Sequence, residues 1–385
     1  MKRSIQGRLI KCSLASETYQ AFEPNSLPPE PKIDLLEVAV WLEKANQAIG
    51  KLNGVVESTV DSSVLNYTYV RKEAVLSSQI EGTQSTLDDL LRYEADQTQG
   101  ISVADAAEVS SYVAALNHGL ERIKEGFPLS LRLIREIHKI LLTNSRGSSK
   151  LPGEFRSSQN WIGGTRPGNA RFVPVSPDKL MKVLGDLEIF MNSDDEIPNL
   201  IKAALIHVQF ETIHPFLDGN GRLGRLLITF FLCVKGVLKS PFLYLSLFFK
   251  KHRTLYYEAL NSVRKDGDWE KWINFFLEGV FFTASDATAT FITINSIFEK
   301  DVTKIKTLGR ATSSALAVFS VFRRKPILTV SEIVSSTNLS KPTVIKSINH
   351  LIKLGIITKN SEKKWGQIYA YKVYVDLLTS EEDLK

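Results

Sequence analysis

The stretch His214-Pro215-Phe216-Leu217-Asp218-Gly219-Asn220-Gly221-Arg222-Leu223-Gly224-Arg225 constrains this 385-residue chain more than any other. Before it, NLIKAALIHVQFETI places Ile201, Leu205, Val208 and Thr212 on one face at helical spacing. After it, LLITFFLCV is an apolar helical run. A glycine-rich turn between two helices is the expected result. Gly219, Asn220 and Gly221 let the backbone turn its N–H groups toward one point, and the second helix adds its orphan N–H groups and positive dipole end there. Arg222 and Arg225 lie three apart, share a helix face and can fork around the same phosphates. Asp218 is a hard oxygen ligand suited to Mg²⁺ bridging those phosphates. His214, held by Pro215, has the chemistry to deprotonate an incoming hydroxyl. The loop points to a nucleoside triphosphate with a base beside it.

Two other phosphate-binding patterns are excluded. Gly219 to Gly224 satisfies G-x-G-x-x-G, but that fingerprint needs a preceding strand and an acidic residue about twenty positions later. Here a helix precedes, and PFLYLSLF at 241–248 carries no carboxylate. A Walker loop fails because Arg225-Leu226 stands where Lys-Ser/Thr is required.

The twelve residues resemble the signature of the Fic family, H-P-F-x-D/E-G-N-G-R-x-x-R, with each fixed position met. The resemblance implies a mainly α fold, a Fic-type helical core with a β-hairpin flap. Its implied activity is transfer of AMP from ATP to a Ser, Thr or Tyr hydroxyl of a target protein, with Mg²⁺. His214 would be the base and Asp218 the metal ligand. The Gly219–Gly221 backbone with Asn220 would form the anion hole, and Arg222 and Arg225 would hold the outer phosphates. Upstream, Ser77-Ser78-Gln79-Ile80-Glu81-Gly82 matches the family's inhibitory motif, Ser/Thr-x-x-x-Glu-Gly/Asn. That match implies that Glu81, in a motif opened by Ser77, pairs with Arg225. A carboxylate bound bidentately would occupy the fork that a γ-phosphate needs. The plainer alternative is a solvated Glu81 ending a helical turn.

Between Ser157 and Pro177, two short extended runs flank Gly163-Gly164 and Pro167-Gly168-Asn169, which is hairpin punctuation. The stretch resembles the Fic flap, which receives the target segment as an added strand. Trp161, Ile162 and Phe172 are the candidate side chains for touching the target, with pinning of the hairpin onto the helices as the alternative for all three and the favoured one for Phe172. By the same resemblance Tyr257 stacks on the adenine, with core packing as the alternative.

Elsewhere, residues 1–32 with PNSLPPEPK read as irregular, and Asp34 caps a helix that stops at Asn53-Gly54. One helix is expected from Thr68 to Ala95, then helices over 102–125, 129–143 (capped by Ser130) and 270–300. His118 and His138 read as satisfied histidines. His207, seven residues before His214 and without a third ligand at suitable spacing, reads as buried and hydrogen-bonded.

Only Cys12 and Cys233 are present, so a disulfide framework and a zinc cluster are excluded. The start has no apolar h-region, and no apolar run approaches the roughly eighteen residues of a membrane span. A reduced, cytoplasmic protein is expected. The net charge of +6 is uneven: from Lys304 onward there are 14 Lys/Arg against 6 Asp/Glu. There, VSEIVSSTNLSKPTVIKSINHLIKLGIITKN reads helix, turn, helix, with Ser331 capping the first, Asn338-Leu339-Ser340 turning, and Lys341-Pro342 opening the second. Ser361 to Trp365 and QIYAYKVYV read as a wing and strand, so the unit resembles a winged helix. Lys341, Lys346, Lys353, Lys363 and Lys364 supply charge for DNA phosphates. The recognition helix lacks arginine, which leaves guanine readout unsupported. A protein-docking or dimerising module, a homodimer included, is the alternative. The expected division is 1–100 for the N-terminal arm and inhibitory helices, 101–300 for the catalytic core and 301–385 for the winged helix. Two further functions stay open: a DNA-binding regulator whose core modifies itself, and a Fic enzyme that removes AMP or uses another nucleotide.

Overall fold

The computed structural model describes residues 3–14, 17–58, 63–95, 103–143, 145–359 and 367–379. The N-terminal arm is a β-hairpin rather than irregular chain. Strands β1 (Gly7–Leu14) and β2 (Glu17–Pro24) pair antiparallel from Gly7↔Pro24 to Leu14↔Glu17. The clustered prolines rule out helix only from Pro24 onward; upstream, Tyr19 and Ala21 alternate inward as a half-buried strand requires. Phe22 N–H donates to Val173 O at 2.9 Å, so the hairpin lies on the expected flap.

Helix α1 (Leu35–Ser58) starts where Asp34 Oδ1 accepts from Leu36 N–H at 3.0 Å. It runs through Asn53-Gly54 instead of stopping there. Asn53 Nδ2 donates to Val237 O at 2.9 Å, and this packing overrides the glycine's weak helix propensity. The helix expected over 68–95 is two, α2 (Ser63–Ile80) and α3 (Leu87–Ala95). Gly82 breaks it at φ +99°, and Thr86 with Asp89 forms a new capping box, Thr86 N–H to Asp89 Oδ2 at 2.9 Å and Asp89 N–H to Thr86 Oγ1 at 3.2 Å.

Then follow α4 (Val103–Lys124), α5 (Leu131–Leu142, capped by Ser130), α6 (Pro177–Asn192), α7 (Asn199–Ile213) and α8 (Asn220–Val234). Next come α9 (Ser246–Lys251), α10 (Arg253–Asp266) and α11 (Trp269–Lys306). Every residue of α7 from Leu200 to Ile213 is buried, which makes the α7–α8 pair the centre of the core. Helix α11 is long and apolar enough to cross a bilayer by length and composition. It packs along α1, with Trp272, Phe276, Val280, Ala287 and Phe291 buried, and Trp272 Nε1–H donates to Ala204 O at 2.9 Å.

The C-terminal unit holds α12 (Thr312–Arg324), β3 (Ile327–Thr329), α13 (Val330–Thr337), α14 (Lys341–Lys353), β4 (Thr358–Lys359), β5 (Ile368–Ala370) and α15 (Lys372–Thr379), with strand order β3-β5-β4. Thr329, not Ser331, caps α13, and Glu332 closes the capping box. Asn338 turns at φ 55°, and Ser340 caps α14 with Pro342 in its first turn. The wing expected over 361–365, Lys363 and Lys364 included, lies outside the described residues. The strand expected through YKVYV ends at Ala370. Beyond it Tyr374, Val375 and Leu378 bury at helical spacing in α15. Tyr374 and Thr68 on α2 share a hydroxyl hydrogen bond at 3.0 Å.

Candidate active site

Helix α7 ends at His214, whose N–H reaches Phe210 O at 2.9 Å and whose φ of 49° is left-handed. A non-glycine residue there costs about 1–3 kcal/mol and persists only when its surroundings hold it. Arg156 Nε and Asn160 Nδ2 donate to His214 O at 3.0 and 3.1 Å, and Arg156 N–H donates to Pro215 O at 3.0 Å. The Asn220 side chain accepts from Phe216 N–H at 2.9 Å and donates to Phe216 O at 2.8 Å. Asn220 therefore spends its amide on the loop, and only its backbone is left for an anion. Sequence reasoning missed Arg156 and Asn160, which carry no local pattern.

His138 does more than satisfy itself. Its Nδ1 accepts from Gly153 N–H at 2.8 Å, so Nε2 carries the proton and donates to Asp218 O at 3.0 Å. Its ring stacks on Phe216 at 3.7 Å. The loop is propped from behind as well as tied across. Gly219, at φ 76°, opens α8, and no side chain caps the first-turn N–H groups. Asp218 Oδ1 accepts from Gly219 N–H at 2.6 Å, while 42 % of its side chain stays exposed.

The His214 side chain is enclosed by protein, with 21 % open to solvent. Burial, then the Arg264 charge, pushes its pKa down to about 4, so the imidazole is neutral near pH 7. Its Nδ1 is buried on the Glu211 side, 4.0 Å from Glu211 Oε2. Glu211 itself is pushed up to about 7 by burial.

The two signature arginines are each held by a carboxylate from upstream in the chain, Glu81 in the turn after α2 and Glu108 on α4. Arg225 Nε donates to Ser77 Oγ at 2.8 Å, and Nη2 donates to Ser77 O at 2.9 Å and to Glu81 Oε1 at 2.8 Å. The Glu81 contact is thus single, not bidentate, because Ser77 takes the rest of that edge. Burial works to raise the Glu81 pKa, but Arg225, with Arg222 and His214 behind it, overrides this and holds the carboxyl below its usual range. Arg222 Nη1 donates to Glu108 Oε1 at 2.7 Å, a partner on α4 that the sequence did not suggest.

Two cavities meet at this point. One of about 350 Å³ is lined by Trp161, Ile162, Phe172, Tyr257, Arg225 and Arg264 among others; one of about 290 Å³ is lined by Asp218, Gly219, Asn220, Arg222, Glu108 and Arg146. Glu81, His214 and Gly221 line both. The expected hairpin flap pairs only at Ile162↔Phe172, around a 3-10 turn at Pro167–Asn169. Phe172 anchors it, with the Arg264 guanidinium 4.3 Å from its ring and Phe22 at 5.8 Å. His207 is buried as expected, bonded to Gly224 O at 3.0 Å and to the Tyr256 hydroxyl at 2.8 Å. Both Tyr256 and Tyr257 line the flap-side cavity, but the Tyr256 hydroxyl is taken by His207 and the residue is 1 % exposed, whereas Tyr257 is half-buried. Among the described residues, no group of three or more His, Cys, Asp or Glu could hold a metal by itself.

Residues 41–121 match the family model described as Fic/DOC family N-terminal, and residues 128–232 match that of the Fic/DOC family. The protein adenylyltransferase fic-1 of Caenorhabditis elegans is 33 % identical over 115 residues, 29 % of this chain and 21 % of that protein. A probable protein adenylyltransferase of Aquifex aeolicus is 26 % identical over 195 residues, 51 % of this chain and 55 % of its own. The chain thus spans between about a fifth and about half the length of these curated relatives. The crystal structure of a Fic family protein from Desulfovibrio desulfuricans G20 superposes with a TM-score of 0.58 at 19 % identity, covering 90 % of this chain and 98 % of that one. The fold is shared along nearly the whole length.

Proposed function

Because this chain belongs to the Fic family, we propose that it transfers AMP from ATP to a Ser, Thr or Tyr hydroxyl of a protein, itself included, and that Glu81 restrains the reaction. The observation that carries this reading is a neutral His214 on the wall shared by two cavities, one ending at Asp218 and the α8 N-terminus, the other at the flap and Tyr257. The target hydroxyl attacks the α-phosphorus and its proton passes to the free imidazole nitrogen. The bond from that phosphorus to its bridging oxygen breaks, and pyrophosphate leaves on the side of Arg222 and Arg225. The N–H groups opening α8 stabilise the charge that develops there.

Asp218 suits Mg²⁺: one open carboxylate completed by phosphate oxygens and waters is how this ion is usually held. Bound there, it would neutralise polyphosphate charge. We assign Trp161 and Ile162 to the target segment and Tyr257 to the adenine, on the ground that all three line the same cavity as His214. In the closed arrangement Glu81 occupies Nη2 of Arg225, which a γ-phosphate would otherwise take. Intact-mass spectrometry after incubation with ATP and Mg²⁺ tests the reading. A gain of one AMP, lost in His214→Ala, is expected; a gain of phosphate alone would overturn it.

For the C-terminal unit we propose a winged helix that contacts duplex DNA without base readout. Exposed Lys341, Lys346 and Lys353 on α14 support this. Duplex affinity that survives alanine at all three lysines, or does not fall with salt, would favour a protein-docking role instead.

A further inference from the structure

A cation outside the signature faces the same cavity as its glycines. Arg146, in the loop after α5, lines the 290 Å³ cavity beside Asp218, Gly219–Gly221 and Arg222. Its side chain is 60 % exposed, with Nε 3.4 Å from Glu108 Oε2 and Nη2 3.3 Å from Thr83 Oγ1. Glu108 is 4 % exposed and takes Arg222 at 2.7 Å on its other oxygen. One buried carboxylate therefore carries two guanidiniums, the first buried and close, the second open and distant. The long contacts of Arg146 contribute little to the fold, since one partner is exposed and the geometry is loose. Their effect is to hold the planar guanidinium at the cavity mouth through Nε and Nη2, with its remaining N–H donors left for a ligand.

We propose that Arg146 binds the polyphosphate of the nucleotide as a third arginine beside Arg222 and Arg225, with Glu108 as the residue that positions it. This rests on the nucleotidyl-transfer reading of the site. In that reading the phosphate that is transferred sits by His214, so the outer phosphates extend toward Asp218 and Arg222, where Arg146 waits. Arg146 also differs from Arg225 in the closed state. Glu81 holds Nη2 of Arg225 at 2.8 Å, whereas Arg146 is held only by its long Nε and Nη2 contacts and its side chain stays 60 % exposed, so nucleotide can be captured before the latch opens.

The test is calorimetric titration of the full chain, Arg146→Ala and Arg146→Lys with ATP, ADP and AMP in Mg²⁺. Loss of one charge-assisted contact should weaken ATP about tenfold in Arg146→Ala, while AMP changes by less than about twofold and lysine restores part of the loss. Equal weakening of ATP and AMP, or none, would overturn the proposal, because a merely structural arginine does not discriminate by phosphate number. Wild type that ignores ATP but binds another nucleoside triphosphate with the same Arg146 dependence would keep this inference and remove ATP from the function. Wild type that binds no nucleotide would overturn both.

Discussion

Replacing Glu81 by glycine removes the carboxylate to which Arg225 Nη2 donates at 2.8 Å. A hydrogen bond to a charged partner contributes about 1.5–3 kcal/mol. Glu81 is 36 % exposed, so solvent screens part of that, and about 2 kcal/mol is the working figure for closed over open. Arg225 does not fall free in the variant. Ser77 Oγ and Ser77 O still hold Nε and Nη2, which keeps the guanidinium aligned for phosphate. A shift of about 2 kcal/mol changes the ratio of open to closed chains about 30-fold. The initial rate of AMP incorporation at saturating ATP should rise by about 10–50-fold in Glu81→Gly. Glycine here also loosens the turn before Gly82, so Glu81→Gln carries the test of charge: it keeps the shape and should give an intermediate rise. Rates within about twofold of wild type in both variants would refute the latch. Activation by glycine with none by glutamine would assign the release to turn flexibility rather than to the ion pair.

The remaining outcomes follow from other parts of the site. The rate in Glu81→Gly should fall as pH drops through about 4, because His214 accepts a proton only when neutral and burial has lowered its pKa to about 4; an acid limb near 6.5 would contradict the burial argument. Gly147→Ala puts a methyl group 2.5 Å from Asp218 Oδ2, so the Mg²⁺ concentration for half-maximal activity should rise several-fold; an unchanged Mg²⁺ requirement would argue against Asp218 as the ligand. Asn220→Ala strands the Phe216 N–H, while Phe216 O keeps its bond from Asn160 Nδ2 at 2.9 Å, and should cost about 1–3 kcal/mol in urea unfolding, with activity lost through the loop. A cost below about 0.5 kcal/mol would mean that the loop is held by Arg156 and Asn160 alone.

What the sequence disclosed was local. His214 to Arg225 is one continuous segment whose glycines, helix start and cationic face can be read from spacing, and Glu81 was found because its motif is also continuous. Glu108 was not, since its partner Arg222 lies 114 residues away and a carboxylate on an amphipathic helix looks like any solvated one. Arg156 and Asn160 were missed for the same reason. The N-terminal hairpin was obscured by the prolines after it, and α15 by the β-branched and aromatic character of YKVYV, which packing in the C-terminal unit overrode. Thr329 displaced Ser331 as a cap because Glu332 stands three residues after it, the spacing that closes a capping box.

The most direct test of the central claim compares wild type, Glu81→Gly and His214→Ala incubated with ATP labelled at the α- or the γ-phosphate. Label should enter protein from the α-position only, most strongly in Glu81→Gly and not at all in His214→Ala. Label entering from the γ-position would mean phosphate transfer, and α-label persisting in His214→Ala would remove that histidine from the chemistry.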